Sequence, residues 1–274
     1  LFLECPTNPD MKVMELTDLQ SIVDTYTKAT GKTVMVLFDT TFAPGSHILE
    51  RTRKLAPDLP AMVFISMSKS VSRGYTTAGT IVANHTEFAL GVLARATALA
   101  TALDTTAKPD QMQRLVDNHG GVEERCKDAY GMAVALGTAL CDGVFECTGK
   151  NMELNFVSPQ HAALGYHTST FSFNLPPPEG ASTEQIEGLA QKFVDHLTEV
   201  IEPRQFKPCV SFGQDNGLVY CTVPATSTQG AIKAEDKAKQ AVGGVQLVRL
   251  SFPPSLADRG AAIKHVGDSV RMLY

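Results

Sequence analysis

The sequence has no tryptophan, no surplus of basic charge and no long uninterrupted apolar segment. Its 24 lysines and arginines are outnumbered by 29 aspartates and glutamates, and the basic residues are scattered along the chain. Because nucleic-acid binding needs a basic surface that attracts phosphates, we expect no nucleic-acid partner. No apolar run approaches the ~20 residues of a membrane-spanning helix, and no secretion signal is recognisable. Membrane insertion and secretion are therefore not expected.

The sequence also lacks the cysteine and histidine spacings that mark disulfide frameworks and metal sites. Its 6 cysteines are widely spread without a C-x-x-C pair, and its 7 histidines include no H-x-x-x-H pair. Dense cysteine patterns are typical of small secreted domains, and closely spaced ligands are typical of zinc sites. We therefore expect a reducing, cytoplasmic compartment and no bound metal.

Short apolar runs separated by helical patterns fill the first half of the chain. The runs at residues 33–38 (TVMVLF) and 61–65 (AMVFI) are typical of strands covered on both faces, and residues 78–84 (AGTIVAN) resemble a third strand. Alternation of helices with such strands predicts an α/β domain with a mixed, mostly parallel sheet. A sheet of this kind binds ligands beyond the carboxyl ends of its strands.

Helix signals and a proline-rich turn divide the chain further. Thr17 with Gln20 has the pattern of a capping box, and Gly31 can end the helix that follows. Residues 109–140 are mostly helix-forming, with a break at 119–121, and a second capping box, Ser182 with Gln185, follows a proline-rich turn. We expect a large domain at 1–141, including a long connecting helix, and a smaller C-terminal α+β domain at 142–274.

A lysine follows one of the apolar runs, in the stretch FISMSKS at residues 64–70. Partial shielding at a strand end favours the neutral amine of Lys69, which can then attack a carbonyl. Taken alone, such a lysine is more often a solvated loop residue. Ser66 and Ser68 could donate to a phosphate while Lys69 binds an aldehyde on the same molecule, and this combination indicates pyridoxal phosphate.

An acidic residue that suits the same cofactor follows another run. Asp39 ends a strand-like segment, and one β-α-β unit would bring its strand end beside that of Lys69. A carboxylate there can keep the pyridine nitrogen protonated, which makes the ring an electron sink. The cap of a helix or turn is the alternative interpretation of Asp39.

Five motifs occur in the order and spacing found in one enzyme family. The segments ECPTNP (4–9), DTTFA (39–43) and SMSKS (66–70) resemble the Cys/Met metabolism family of pyridoxal-phosphate enzymes. This family includes cystathionine synthases, cystathionine lyases and methionine lyase. CVSFGQDNGLVYCTVPA (209–225) is similar to its serine-glycine substrate loop, and VRLSF (248–252) to its carboxylate-binding arginine strand. The resemblance implies a type I, aspartate aminotransferase-like fold of pyridoxal-phosphate-dependent transferases.

The resemblance implies a role for each matched residue toward the cofactor. Lys69 would bind the cofactor aldehyde as a Schiff base and later act as the general base. Asp39 would pair with the pyridinium nitrogen, Ser66 and Ser68 would help to hold the phosphate, and Asn8 would lie near the ring.

Two further residues would contact the substrate. Arg249 would bind the α-carboxylate of an amino acid, which suits a planar bidentate donor. Ser211 matches the loop serine that approaches the substrate. From the residues alone, Arg249 could equally be a surface-facing strand arginine and Ser211 an ordinary turn residue.

The expected activity is cleavage of a carbon–sulfur bond, by β or γ elimination, in a sulfur amino acid such as cystathionine. A related synthase or aminotransferase would use the same residues. A non-catalytic relative that acts as a scaffold or regulatory partner is the third possibility, because Thr40 replaces the asparagine that follows the ring aspartate in the family. Family members carry a segment ahead of ECPTNP, so we expect the chain to be a fragment of a homodimer or homotetramer.

Overall fold

The computed structural model describes residues 1–200, 205–223 and 241–274. Their backbone divides into two compact units. The first comprises Leu1–Thr7, Lys12–Glu123 and Ser158–His167, and the second comprises the described residues of Asn8–Met11, Glu124–Val157 and Thr168–Tyr274. The expected boundary between residues 141 and 142 stays a prediction, and both residues lie inside a long helix.

A four-stranded mixed sheet organises the first unit. Its strands follow the chain order, β1 (Phe2–Glu4), β2 (Val36–Asp39), β3 (Ala61–Ser66) and β4 (Gly79–Ala83). The first three strands are parallel, and β4 runs antiparallel to β3. This arrangement confirms the predicted α/β class and the mostly parallel sheet.

Apolar residues of the central strands form the core of this unit. Val36 and Phe38 of β2 are fully buried, and Ala61 of β3 is fully buried beside them. Burying one large apolar side chain contributes about 1.5–3 kcal/mol, so these short runs hold the strand ends firmly in place. The helices of the unit are α1 (Leu16–Thr30), α2 (Ile48–Leu55), α3 (Glu87–Ala102), α4 (Pro109–Asn118) and α6 (Pro159–Ala162).

The start of α1 differs from the sequence prediction. The capping box of Thr17 with Gln20 does not form, because the helix begins one residue before Thr17 and Glu15 occupies the capping position without a side-chain cap. The Glu15 carboxylate instead lies 2.8 Å from His161 Nε2. The end of the helix was predicted correctly, since Gly31 adopts the left-handed conformation with φ of 68°.

The second unit is built from a long helix, a second sheet and two later helices. Most of α5 (Val122–Thr148) belongs to it, and the break predicted at residues 119–121 separates this helix from α4. The strands are β5 (Thr170–Phe173), β6 (Phe206–Pro208), β7 (Val219–Thr222) and β8 (Val248–Ser251), in the order β5-β8-β7-β6. The helices α7 (Thr183–Asp195) and α8 (Arg259–Leu273) complete the unit, and a π-helical turn, His196–Val200, extends α7.

Local sequence signals account for the start and the packing of α7. Ser182 accepts from the backbone of Gln185 while the Gln185 side chain accepts from Ser182, which confirms the second capping box. Leu189 and Phe193 of this helix join Phe171 and Phe173 of β5 in one buried cluster. The second unit therefore has the α+β architecture predicted for the C-terminal part. Among all the described residues, no helix is long and apolar enough to cross a membrane.

Candidate active site

Parallel pairing brings the predicted cofactor residues of the first unit to one edge of its sheet. β2 ends at Asp39 and the neighbouring parallel strand β3 ends at Ser66, so both residues lie at a carboxyl end. In the register, Asp39 is opposite Phe64. Thr41, which follows Asp39 by two residues, therefore comes level with Ser66.

The Asp39 carboxylate is held by the turn that follows it. The backbone N–H of Thr41 donates to Asp39 Oδ1 at 2.9 Å, and the Thr41 hydroxyl donates to the same oxygen at 2.6 Å. Neither of these bonds reaches Oδ2. Asp39 is partly exposed, so the second oxygen can accept a hydrogen bond from a ligand.

The Thr41 hydroxyl also contacts the end of β3. The backbone N–H of Ser66 donates to Thr41 Oγ1 at 3.0 Å, and Ser66 Oγ lies 2.8 Å from Ser68 Oγ. Thr41 therefore bonds both the Asp39 carboxylate and the backbone of Ser66, whose side chain is one of the two paired hydroxyls. Thr41 is 8% exposed, so this linkage is largely shielded from water.

Lys69 lies in the tight turn that follows β3. The turn is closed by the backbone N–H of Met67, which donates to Ala78 O at 2.8 Å, and by that of Ser72, which donates to Met67 O at 3.2 Å. Lys69 is half-buried between these two closures. The lysine, the two serines and the aspartate predicted from the sequence are thus carried by the ends of two adjacent strands.

The predicted substrate arginine lies within the sheet of the second unit. Arg249 belongs to β8 and is 3% exposed, which excludes the surface-facing alternative. Its Nη1 donates to Asn8 Oδ1 at 3.1 Å, and its Nη2 donates to the carbonyl of Val210. A buried guanidinium needs such acceptors, and these two hold its plane in a defined orientation.

The loop around Ser211 is also part of the second unit. The Ser211 hydroxyl accepts from Gln214 Nε2 at 2.7 Å, while Val210, the preceding residue, bonds Arg249 through its carbonyl. The predicted loop serine is therefore close in sequence to a direct contact of the predicted substrate arginine. The last two residues of this motif, Pro224 and Ala225, lie outside the described residues.

Burial favours the protonated forms of Cys5, Tyr166 and Cys221. Burial raises the pKa of the Cys221 thiol and of the Tyr166 phenol well above their ordinary values. Burial also raises the pKa of the Cys5 thiol, whose Sγ donates to the Tyr166 hydroxyl at 3.7 Å. Since thiolates are the reactive form, these two cysteines are suited to packing rather than to nucleophilic chemistry.

The side chains at the edge of the first sheet fit pyridoxal phosphate. The carboxylate oxygen that Thr41 leaves without a bond suits a protonated ring nitrogen, and paired hydroxyls suit a phosphate. The primary amine of Lys69 suits the aldehyde. The donors and acceptors present are those that the cofactor requires at its three polar positions.

Thr41 is a site residue that was not predicted from the sequence. It lies within the motif DTTFA, where only Asp39 had a predicted role. An aspartate followed two residues later by a donor is typical of a turn in which the carboxylate accepts from the backbone. That signal was present, whereas the bond from Ser66 to Thr41 depends on the pairing of two strands.

Comparison with solved structures supports the fold assignment. No protein-family model matches the sequence, and no curated protein matches it. A cystathionine gamma-synthase from Xanthomonas oryzae pv. oryzae, in complex with aminoacrylate and cysteine, is similar over 100% of this chain at 20% identity with a TM-score of 0.67. A cystathionine gamma-lyase from Lactobacillus plantarum, complexed with L-serine, matches 98% of the chain at 18% identity with a TM-score of 0.69. The yeast cystathionine gamma-lyase matches 99% at 19% identity with a TM-score of 0.68.

These similarities confirm the predicted fold class, the type I fold of pyridoxal-phosphate-dependent transferases. The enzymes they involve are of the kinds that the sequence motifs resemble. This chain spans 64% of the Xanthomonas and Lactobacillus chains and 63% of the yeast chain, so it corresponds to slightly less than two thirds of their length.

Proposed function

We propose that this chain is the major part of a pyridoxal-phosphate-dependent enzyme that cleaves a carbon–sulfur bond in a sulfur amino acid such as cystathionine. The observation that carries the proposal is the linked set of Asp39, Thr41, Ser66 and Ser68 beside Lys69, at the end of two parallel strands. The similar solved structures are consistent with this chemistry, because they include gamma-lyases and a gamma-synthase.

The residues of the first unit would each contact a different part of the cofactor. Asp39 would accept a hydrogen bond from the ring nitrogen and keep it protonated, and Ser66 and Ser68 would donate to the phosphate. The Lys69 amine would bind the aldehyde and, once displaced by the substrate amine, take the proton from the substrate α-carbon. The bound cofactor supplies an electron sink that stabilises the carbanion left by that proton.

The residues of the second unit would bind the substrate. The Arg249 guanidinium, oriented by Asn8 and the Val210 carbonyl, would pair with the α-carboxylate. Ser211 would contact the substrate from its loop. We further propose that the complete protein works in the cytoplasm as a homodimer or homotetramer, acting on a small amino-acid substrate.

A turnover assay with the complete protein tests the proposal. The protein, supplied with pyridoxal phosphate, is incubated with cystathionine, methionine or cysteine while 2-oxo acid, thiol and ammonia are measured. Equal amounts of the three products are expected for elimination, and a Lys69→Ala variant is expected to form none of them. Oxo acid without ammonia, limited to about one equivalent per chain unless an amino acceptor is supplied, would instead indicate an aminotransferase. A new thioether formed from two cysteines with release of sulfide, and without oxo acid, would indicate the replacement chemistry of a synthase. Absence of all products from the loaded protein would favour a non-catalytic relative.

A further inference from the structure

The Thr41 hydroxyl makes hydrogen bonds with residues at the ends of two strands, β2 and β3. It donates to Asp39 Oδ1 at 2.6 Å and accepts from the Ser66 backbone N–H at 3.0 Å. Its own N–H makes a second bond to the same Asp39 oxygen at 2.9 Å. One side chain therefore orients the carboxylate and fixes it relative to the end of β3.

The orientation of the carboxylate matters for a ring nitrogen. With both Thr41 donors on Oδ1, rotation of the Asp39 side chain would break two hydrogen bonds to a charged group, which are about twice as strong as neutral ones. The rotamer is thereby fixed, and Oδ2 is the oxygen that Thr41 leaves for another partner. A carboxylate that is already oriented loses less conformational freedom when it binds its partner.

The hydrogen bond from the Ser66 backbone to Thr41 also links the carboxylate to the serine pair. Ser66 donates through its backbone to Thr41 and is within hydrogen-bond distance of Ser68 through its side chain, 2.8 Å away. The separation between the carboxylate and the hydroxyl pair is therefore set by Thr41 and not only by the strand pairing. A ligand with a cationic nitrogen at one end and a phosphate at the other needs that separation to be constant.

We propose that Thr41 is a positioning residue, which holds Asp39 against the ring nitrogen and couples it to the phosphate-binding serines. This inference rests on the proposed function, since it concerns the same cofactor. Thr41 acts through Asp39 and Ser66, and its effect is therefore expected on the protonation of the ring nitrogen and on cofactor affinity.

Two substitutions distinguish the contribution of the Thr41 hydroxyl from that of the rest of the side chain. Thr41→Val has nearly the same shape but can neither donate to Asp39 nor accept from Ser66, whereas Thr41→Ser keeps both functions. Thr52→Val is the matched control, because Thr52 is 2% exposed in the same unit and its Oγ1 has no hydrogen-bond partner among the described residues.

The test uses the complete protein loaded with pyridoxal phosphate that is isotope-labelled in the ring nitrogen. The nitrogen chemical shift in the NMR spectrum reports the protonation of the ring, and a titration of the apoprotein gives the cofactor affinity. We expect Thr41→Val to move the shift toward that of the neutral ring and to weaken binding by ~10-fold. Thr41→Ser and Thr52→Val are expected to match the unmodified protein in both measurements.

The possible results distinguish a failure of the role of Thr41 from a failure of the proposed function. If the unmodified protein binds the cofactor and Thr41→Val gives the same nitrogen shift and affinity, Thr41 is not a positioning residue, although the proposed function stands. If Thr41→Ser is as impaired as Thr41→Val, shape rather than the hydroxyl is responsible and the inference is wrong. If the unmodified protein binds no cofactor, the proposed function and the inference both fail.

Discussion

Ser66 Oγ and Ser68 Oγ lie 2.8 Å apart, so the two hydroxyls at the end of β3 are hydrogen-bonded to each other. One of them donates within the pair, and the other can donate outward to a phosphate. The two serines therefore act as one unit. Substitutions of residues in one hydrogen-bonded unit are not additive.

We expect Ser66→Ala and Ser68→Ala each to weaken the binding of pyridoxal phosphate by ~10-fold, the effect of one lost hydrogen bond to a charged group. The double substitution is expected to weaken it little further. Binding to the apoprotein is measured by absorbance titration, with Ser21→Ala in the exposed part of α1 as the control. A ~100-fold loss in the double variant would show that the two hydroxyls act independently.

The contact between Asn8 and Arg249 predicts an effect of charge on substrate binding. Asn8→Asp would place a carboxylate about 3 Å from the guanidinium, where it competes with the α-carboxylate of the substrate. We expect KM to rise by at least ~10-fold while the free energy of unfolding is kept or increased. Steady-state kinetics and urea unfolding check the two parts.

Asn8→Ala is the control for that prediction, because it removes the acceptor and leaves the positive charge of Arg249. We expect a smaller rise in KM and a loss of ~1 kcal/mol in the free energy of unfolding. Equal KM values for Asn8→Asp and Asn8→Ala would contradict a role of Arg249 in binding an anionic substrate group.

Gly165 is required by the close approach of two backbone segments in the first unit. It has φ of 89°, and a Cβ added there would lie 2.4 Å from the backbone oxygen of Gly45. We expect Gly165→Ala to lower the free energy of unfolding by ~3 kcal/mol or more, since both strain and a clash with backbone act together. Gly31→Ala, at φ of 68° with nothing within 4 Å, should cost only ~1 kcal/mol. Similar losses in urea unfolding of the two variants would contradict the close packing at Gly165.

Burial of Cys221 predicts a loss of stability in alkaline solution. Burial raises the pKa of this thiol above its ordinary value of 9.0 in the folded chain. Below pH 9 the thiol is protonated in both states, whereas above it the unfolded chain releases the proton and the folded chain does not. The free energy of unfolding should therefore fall with rising pH from about pH 9, by up to ~1.4 kcal/mol per pH unit for this group.

Urea unfolding across that pH range measures how steeply the free energy of unfolding falls with pH. Cys221→Ala is expected to be less stable at every pH, because it leaves a cavity, but to show a shallower slope than the unmodified protein. Parallel curves for the two proteins would show that Cys221 does not contribute to the pH dependence.

Local patterns in the sequence predicted those parts of the fold that depend on neighbouring residues. The apolar run before Ser66, the helix end at Gly31 and the capping box at Ser182 were all confirmed, because strand burial and helix ends are encoded within a few residues. The capping box at Thr17 was wrong. Glu15 is held instead by His161, 146 positions away, and a helical pattern cannot reveal such a partner.

In the candidate site, too, local features were predicted from the sequence, whereas contacts between distant residues were not. The position of Asp39 at a strand end follows from its run of apolar residues, whereas the bond from Ser66 to Thr41 requires the register of two strands. The contact of Arg249 with Asn8 joins residues 241 positions apart. Both residues were identified through the resemblance to known enzymes, but their mutual contact emerged only from the structure.

Reduction of the complete, cofactor-loaded protein with borohydride tests the central claim most directly, because it fixes a lysine-bound aldehyde as a stable amine. Proteolysis and mass spectrometry then locate the modified residue. The account predicts one pyridoxyl phosphate group per chain, attached to Lys69, and no labelled lysine in a Lys69→Ala variant. Labelling distributed over other lysines, or no labelling of the unmodified protein, would contradict it.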